Sequence, residues 1–111
     1  MMFRQAYLCE DMHGLYWTPD YEVIRWLGGR VYISYTRQGD AISCHFSSDR
    51  ESLSKLRDVM HYFFLYARET MPWCTMTIGC IKRESVVRLF KSCGFWHVQD
   101  RRDMKIYARY L

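Results

Sequence analysis

Cysteine and histidine are the residues of this sequence most suited to nucleophilic or metal chemistry. The 111 residues contain five Cys and four His. Cys44 and His45 are neighbours in a segment that alternates like a strand, so their side chains point to opposite faces and cannot act together as nucleophile and base. His61 lies beside the apolar stripe of a predicted helix, where a structural role is favoured. The sequence therefore predicts no catalytic Cys-His pair.

A zinc site needs ligands at characteristic spacings, usually as two pairs with two to four residues between the members. The candidates Cys74, Cys80, Cys93 and His97 lack such pairs. Cys74 and Cys80 share a face of a predicted strand, but six residues of extended chain separate them by roughly 20 Å. We therefore predict no metal site and reduced cysteines that pack as small apolar side chains, as in a cytosolic protein.

The elements that position these residues follow from periodicity and turn signals. Half of the residues are apolar, and the 6 Gly and 2 Pro exclude collagenous and linker-rich architectures. A single domain over residues 1–111 is predicted, with a mixed α/β fold and a mostly antiparallel central sheet flanked by helices. The predicted strands are 3–9, 30–37, 41–46, 73–81, 96–99 and 104–110, and the predicted helices are 18–27, 51–68 and 84–93.

Two of these helices have clear start signals. The first is predicted to begin with Thr18 as N-cap and Pro19 in its first turn, and to have an apolar stripe of Val23, Ile24, Trp26 and Leu27. The second follows capping residues at 47–49 and has apolar positions at three- and four-residue steps, which is the strongest helix signal in the chain.

The third helix is predicted to end at Gly94, in the sequence Leu89-Phe90-Lys91-Ser92-Cys93-Gly94-Phe95. This motif is similar to the helix ending in Leu-Tyr-x-x-x-Gly-Phe of the GCN5-related N-acetyltransferase (GNAT) superfamily. The order of elements from 41 to 111 also resembles the core of that superfamily. The resemblance implies a GNAT-like fold, with acetyl-CoA as the cofactor and an amine as the acetyl acceptor.

One segment and two single positions depart from the superfamily pattern. Its diphosphate-binding turn, Gln/Arg-x-x-Gly-x-Gly/Ala, is matched here by a glycine-free segment, Ser48, Asp49, Arg50, Glu51 and Ser52. Two carboxylates in that segment stabilise the helix start by themselves and repel a bound anion. Phe90 stands where members often carry a proton-donating tyrosine, and Arg83 where an asparagine often opens the helix. We therefore predict a non-catalytic GNAT-like protein without a cofactor; the alternative is an active N-acetyltransferase with an unusual acetyl-CoA loop.

The C-terminal half has a long charged helix, a Trp-containing strand, a short helix ending in Gly and a final hairpin. This pattern resembles internal virion proteins of short-tailed bacteriophages. The resemblance implies a virion or assembly component, located in the virion or host cytoplasm and not secreted. Its implied partners are other virion or assembly proteins or further copies of the chain.

The aromatic content, 17% of residues, exceeds what a core of this size requires. Large rings are favoured at protein interfaces. The net charge of +4 indicates no extended nucleic-acid surface, because its densest spots, 82–83 and 101–102, adjoin acidic residues. Nucleic-acid partners are therefore not expected, and neither are membrane partners. The candidate interface, which follows from the aromatic content, consists of Trp17, Tyr21, Trp26, Trp73 and Trp96.

Overall fold

The structure, a computed structural model, describes residues 2–111. Its strands form one seven-stranded sheet in the order β1-β2-β3-β4-β5-β7-β6. Neighbouring strands are antiparallel except β4 and β5, which are parallel. The predicted mixed, mostly antiparallel fold is thus confirmed. The strands are β1 (Phe3–Gln5), β2 (Glu22–Trp26), β3 (Val31–Gln38), β4 (Ala41–Ser48), β5 (Met76–Ile81), β6 (Trp96–Arg101) and β7 (Met104–Tyr110); the helices are α1 (Leu56–Thr70) and α2 (Glu84–Ser92).

Both helices pack on the same face of the sheet, which we call the helix face. Alternation in β3 and β4 sends Ile33, Ile42 and Cys44 toward α1, where Phe63 is fully buried among them. The sheet face on the other side, the back face, is covered in part by the chain between β1 and β2. That segment packs in a second buried cluster of Ala6, Met12, Val23 and Tyr32. The core therefore has two layers, and the larger lies under the helices.

The helix predicted over 18–27 is wrong, since its second half is strand β2. Pro19 lies in a turn that the Tyr21 amide closes on the Thr18 carbonyl at 2.9 Å. Val23 joins the back-face cluster and Ile24 the helix-face core, so successive residues of β2 bury opposite sides. A strand covered on both faces has a continuous apolar run, and a short run of this kind resembles a helix stripe.

The other elements occur where the sequence predicts them, with shifted ends. The first strand stops at Gln5, and the fourth predicted strand begins at Met76 instead of 73. A 3₁₀ turn at Leu53–Lys55 precedes α1, which then runs on to Thr70. In the final hairpin β6 extends to Arg101, and Arg102 makes the turn with a φ of 59°. Within residues 2–111, neither helix has the length and apolar character needed to span a bilayer.

Candidate functional site

The parallel strands β4 and β5 separate at their C-terminal ends and leave a cleft in the sheet. Their pairing runs from Ala41 with Met76 to Cys44 with Gly79, although β4 continues to Ser48 and β5 to Ile81. A cavity of about 220 Å³ lies at this point. The cavity is lined from β4, β5, the link between β5 and α2, α2 itself and the chain before β2: Gly14, Tyr16, Cys44, His45, Phe46, Cys80, Ile81, Lys82, Arg83, Val86 and Phe90.

Two phenyl rings close the helix face of this cleft. Phe46 and Phe90 meet edge to face, with ring centroids 6.0 Å apart. The Phe90 ring lies directly on the backbone of Gly79, where a Cβ atom would come within 2.4 Å of the ring. Phe90 is therefore buried between the diverging strands, and only glycine at position 79 permits this packing.

The end of α2 holds Phe90 in place. Gly94 adopts the left-handed conformation, with a φ of 87°, as the sequence predicts. The Phe95 amide donates to the Phe90 carbonyl at 3.1 Å, and the Gly94 amide donates to the Lys91 carbonyl at 3.1 Å. These two bonds are those of a Schellman motif. Phe95 then packs on Phe90 with ring centroids 4.6 Å apart, so the helix end fixes the ring that closes the cleft.

The loop from β4 to α1 is bonded internally at the helix start. The Ser52 amide donates to a carboxylate oxygen of Asp49 at 2.8 Å, and the Arg30 amide donates to the Ser52 hydroxyl at 3.0 Å. Hydrogen bonds from the Ser52 hydroxyl and amide lower the pKa of Asp49, so this group is a carboxylate at neutral pH. A full negative charge thus stands at the start of the helix.

The following amides are also engaged. The Leu53 amide donates to the Arg50 carbonyl at 3.4 Å, and the Lys55 amide donates to the Ser52 carbonyl at 2.9 Å, in the 3₁₀ turn. The Leu56 amide donates to the Leu53 carbonyl. Backbone N–H groups that point outward from a helix start are what binds a phosphate group. Here most of these groups already have acceptors within the loop.

An imidazole lies at the back-face side of the cleft. His45 is half-buried between Tyr16 and Tyr21, with ring centroids 4.8 and 5.8 Å away. Burial lowers the pKa of His45, so its neutral form predominates at pH 7. The site is not apparent in the sequence because residues far apart in the chain form it. The alternation that places His45 on the face opposite Cys44 is the one signal of it in the sequence.

Four of the five thiols lie in surroundings that disfavour a thiolate, whereas Cys9 is exposed. Burial raises the pKa of Cys44 and Cys80, which keeps both thiols protonated at neutral pH. Among residues 2–111 there is no group of three or more His, Cys, Asp or Glu side chains placed to hold a metal ion.

The five aromatic residues of the predicted interface do not form one surface. Trp17 is half-buried against the back-face cluster, and Trp26 and Trp73 pack against the helix-face core. Tyr21 is half-buried beside His45, whereas Trp96 on the outermost strand β6 is exposed. Other large apolar side chains are more exposed than Trp96: Met2, Tyr7, Leu8, Tyr16, Leu27, Leu53, Leu65, Val98 and Tyr110.

The cavity at the cleft is small. Its volume of about 220 Å³ is below the range of roughly 300–1,000 Å³ typical of ligand pockets. In the loop before α1, Arg50 and Glu51 beside the Asp49 carboxylate are exposed and add charges of opposite sign.

Comparison with known proteins identifies the fold. The chain matches no family model, and no curated protein matches it in sequence. A domain from Methanocaldococcus jannaschii is similar in structure, with a TM-score of 0.64 and 13% identity over 85% of this chain and 69% of that one. An acetyltransferase of the GNAT family from Bacillus anthracis has a TM-score of 0.60 and 11% identity over 82% of this chain and 64% of its own. The chain therefore spans about two thirds of these neighbours and has an α/β fold like that of the acyl-CoA N-acyltransferases.

Proposed function

We propose that this protein is a non-catalytic GNAT-like domain that works through protein contacts. The observation that carries the proposal is the loop before α1, where Asp49 and the 3₁₀ turn take up the amides of Ser52, Leu53, Lys55 and Leu56. Anion binding at a helix start depends on free N–H groups and on the positive end of the helix dipole. An ionised carboxylate at that end neutralises the dipole and repels a diphosphate.

The cleft supports the same proposal independently of the loop. Phe90 is 4% exposed and its ring rests on Gly79, so a pantetheine arm that displaced this ring would take it out of the core. Moving a buried phenyl ring into water costs about 2–3 kcal/mol before any ligand contact is made. Phenylalanine also has no proton to transfer to a departing thiolate.

For the setting of these contacts we propose a tailed-bacteriophage particle or its assembly, with other virion or assembly proteins or further copies of the chain as partners. The support is the sequence pattern of the C-terminal half together with a fold that lacks a ready cofactor loop. Immunoblotting of gradient-purified particles and assembly intermediates tests this setting. The protein is expected in one of these fractions, and its absence from both contradicts the setting.

N-acetyl transfer is the second candidate function, and His45 is the observation that favours it. Its imidazole is neutral at pH 7 because burial lowers its pKa, and it lines the cleft. A neutral imidazole there can accept a proton from an ammonium group and leave a nucleophilic amine.

Calorimetric titration with acetyl-CoA separates the two functions. The first predicts no saturable heat at millimolar ligand, whereas micromolar binding supports the acetyltransferase and overturns the first. The control is a variant with Lys82→Ala and Arg83→Ala, which removes cations near the cleft that attract any polyanion. If the double variant and moderate salt both abolish a weak binding signal, that signal comes from attraction to surface charge. The loop then binds no acetyl-CoA, and the first function stands.

A further inference from the structure

The sheet has two edge strands that differ in length. β1 has three residues, whereas β6 has six, Trp96 to Arg101, and all six are exposed. An edge strand presents unpaired N–H and C=O groups, and proteins usually protect it with charged side chains, proline, bulges or a very short length. β6 has a bulge and two charged residues, but it contains neither Lys nor Pro and is twice as long as β1. It therefore offers the longer row of backbone groups to an added strand.

A bulge in β6 decides which side chains share a face. Trp96 lies opposite Ala108 and Arg101 opposite Met104, so both ends of the strand point to the back face. His97 lies opposite Tyr107 and Asp100 opposite Lys105, and these two point to the helix face. In a regular six-residue strand the first and last side chains point to opposite faces. The irregularity between His97 and Gln99 removes that mismatch.

The strand is consequently symmetric about its centre. Read from either end, it presents a back-face residue and then a helix-face residue, with Val98 and Gln99 between the two halves. A two-fold axis perpendicular to the sheet requires this symmetry, because paired residues of an antiparallel ladder point to the same face. A register shifted by one residue in either direction opposes back-face to helix-face side chains, and so it is excluded.

We propose that β6 pairs antiparallel with β6 of a second copy, about an axis between Val98 and Gln99. The sheet then runs through both copies, with all four helices on one side. This inference deepens the proposed function, on which it rests, by naming a further copy of the chain as a partner and β6 as the contact.

Side-chain chemistry matches the register. His97 of one copy stands opposite Asp100 of the other, and Trp96 stands opposite Arg101. The first pair has complementary hydrogen-bonding groups, as the His97 to Asp100 contact of 2.7 Å within one chain illustrates. The second brings a guanidinium to an indole ring. No like charges face each other across the axis.

The back face next to the edge also favours a partner. Trp96 contacts Tyr110 with ring centroids 5.0 Å apart, and the two side chains are 41% and 63% exposed. An arginine from the second copy covers part of this aromatic pair. The contact area is that of one strand and a few side chains, so the dimer belongs to the weak class of interfaces.

Sedimentation velocity on the full chain tests the inference. At about 100 µM chain, suited to a weak interface, we expect a species of twice the 13.5 kDa chain mass. His97→Asp places a new carboxylate opposite Asp100 of the other copy, and Arg101→Glu places one opposite Trp96. Each is expected to weaken dimerisation at least tenfold.

The double variant His97→Asp with Asp100→His exchanges the two partners and restores their complementarity, so it is expected to recover the dimer. Leu65→Glu, at an exposed position of α1 away from the edge, is the control and leaves the dimer unchanged. A wild-type monomer at this concentration, or a dimer that both single variants leave intact, overturns the inference. The acetyl-CoA titration does not involve β6. A monomer that binds no acetyl-CoA therefore overturns only this inference, and a dimer that binds it at micromolar concentration overturns only the proposed function.

Discussion

The two halves of the back face contrast sharply. Over β2, β3 and β4 the chain between β1 and β2 forms a second core layer, in which Tyr32 is fully buried. Over β5, β7 and β6 the small side chain of Ala108 is buried, but the larger back-face side chains remain half-buried or exposed, among them Ile78, Ile106 and Tyr110. The sheet therefore has a covered half, β2 to β4, whose back face the chain itself buries. It also has a bare half, β5, β7 and β6, whose back face is open and which ends in an edge strand.

The covered half is held by polar groups as well as by packing. Glu10 accepts hydrogen bonds from Arg4 and Arg25 at 2.9 to 3.0 Å and from the Tyr32 hydroxyl at 2.9 Å. The Ser47 hydroxyl donates to the Met12 carbonyl at 2.6 Å. These contacts fix an irregular segment that has little regular structure of its own. The bare half needs no such attachment, and its surface remains available to a partner.

Among single substitutions that test this contrast, removal of the Glu10 carboxylate should lower the free energy of unfolding the most. Glu10→Ala leaves two guanidinium groups and a buried hydroxyl without their acceptor, and we expect a loss of about 3 kcal/mol in the free energy of unfolding. Urea denaturation measures it. Glu84→Ala is the control, because the Glu84 to Lys105 pair is exposed and should contribute less than about 0.5 kcal/mol. Equal losses in the two variants would show that Glu10 does not fasten the segment.

Acid should weaken the same attachment. Hydrogen bonds from Arg4 hold the pKa of Glu10 well below its ordinary value. A depressed carboxyl pKa contributes stability that is fully present above the ordinary value and is lost as pH falls toward the folded-state value. The difference in unfolding free energy between wild type and Glu10→Gln should therefore stay constant down to about pH 5 and narrow between about pH 5 and pH 3. A difference that stays constant over this range would contradict the assignment.

A smaller effect is expected at the other end of the covering segment. Ser47→Ala leaves the Met12 carbonyl without its donor and should cost about 1 kcal/mol. Thermal unfolding of this variant beside Ser54→Ala, an exposed position in the 3₁₀ turn, provides the comparison. An unchanged melting temperature for Ser47→Ala would show that water replaces the hydroxyl at no cost.

The smallest effect is expected on the bare half. Tyr110 is 63% exposed, so Tyr110→Lys should change the free energy of unfolding by less than about 0.5 kcal/mol. Its unfolding midpoint in urea gives the value. Surface substitutions rarely lower the free energy of unfolding by more than about 2 kcal/mol. A loss above that value would mean that the bare half contributes to the core, and the two halves of the back face would then not differ.

Much of this fold is predictable from local patterns. The hairpin of β3 and β4, both helices and the glycine cap at position 94 follow from alternation, three- and four-residue periodicity and turn chemistry. Strand β2 is mispredicted because residues 23–26 are buried on both faces, which removes the alternation that marks a strand. The segment that causes this burial is itself irregular and has no periodic signal.

The site is predictable only in part. The carboxylates before α1 are visible in the sequence, but the hydrogen bond that Asp49 accepts from the Ser52 amide, and the 3₁₀ turn itself, depend on the path of the loop. The contact of Phe90 with Gly79 and the position of His45 between two tyrosines join residues from separate elements. Aromatic content likewise cannot show which rings are buried, and Trp26 and Trp73 pack against the core.

The central claim is that the loop before α1 no longer binds a diphosphate, and amide resonances of that loop test it most directly. In ¹H–¹⁵N spectra recorded during addition of acetyl-CoA to millimolar concentration, the signals of Ser52, Leu53 and Leu56 are predicted to stay in place. Saturable shifts of these three signals, accompanied by shifts at Cys44 and Gly79 where the strands part, would contradict the account.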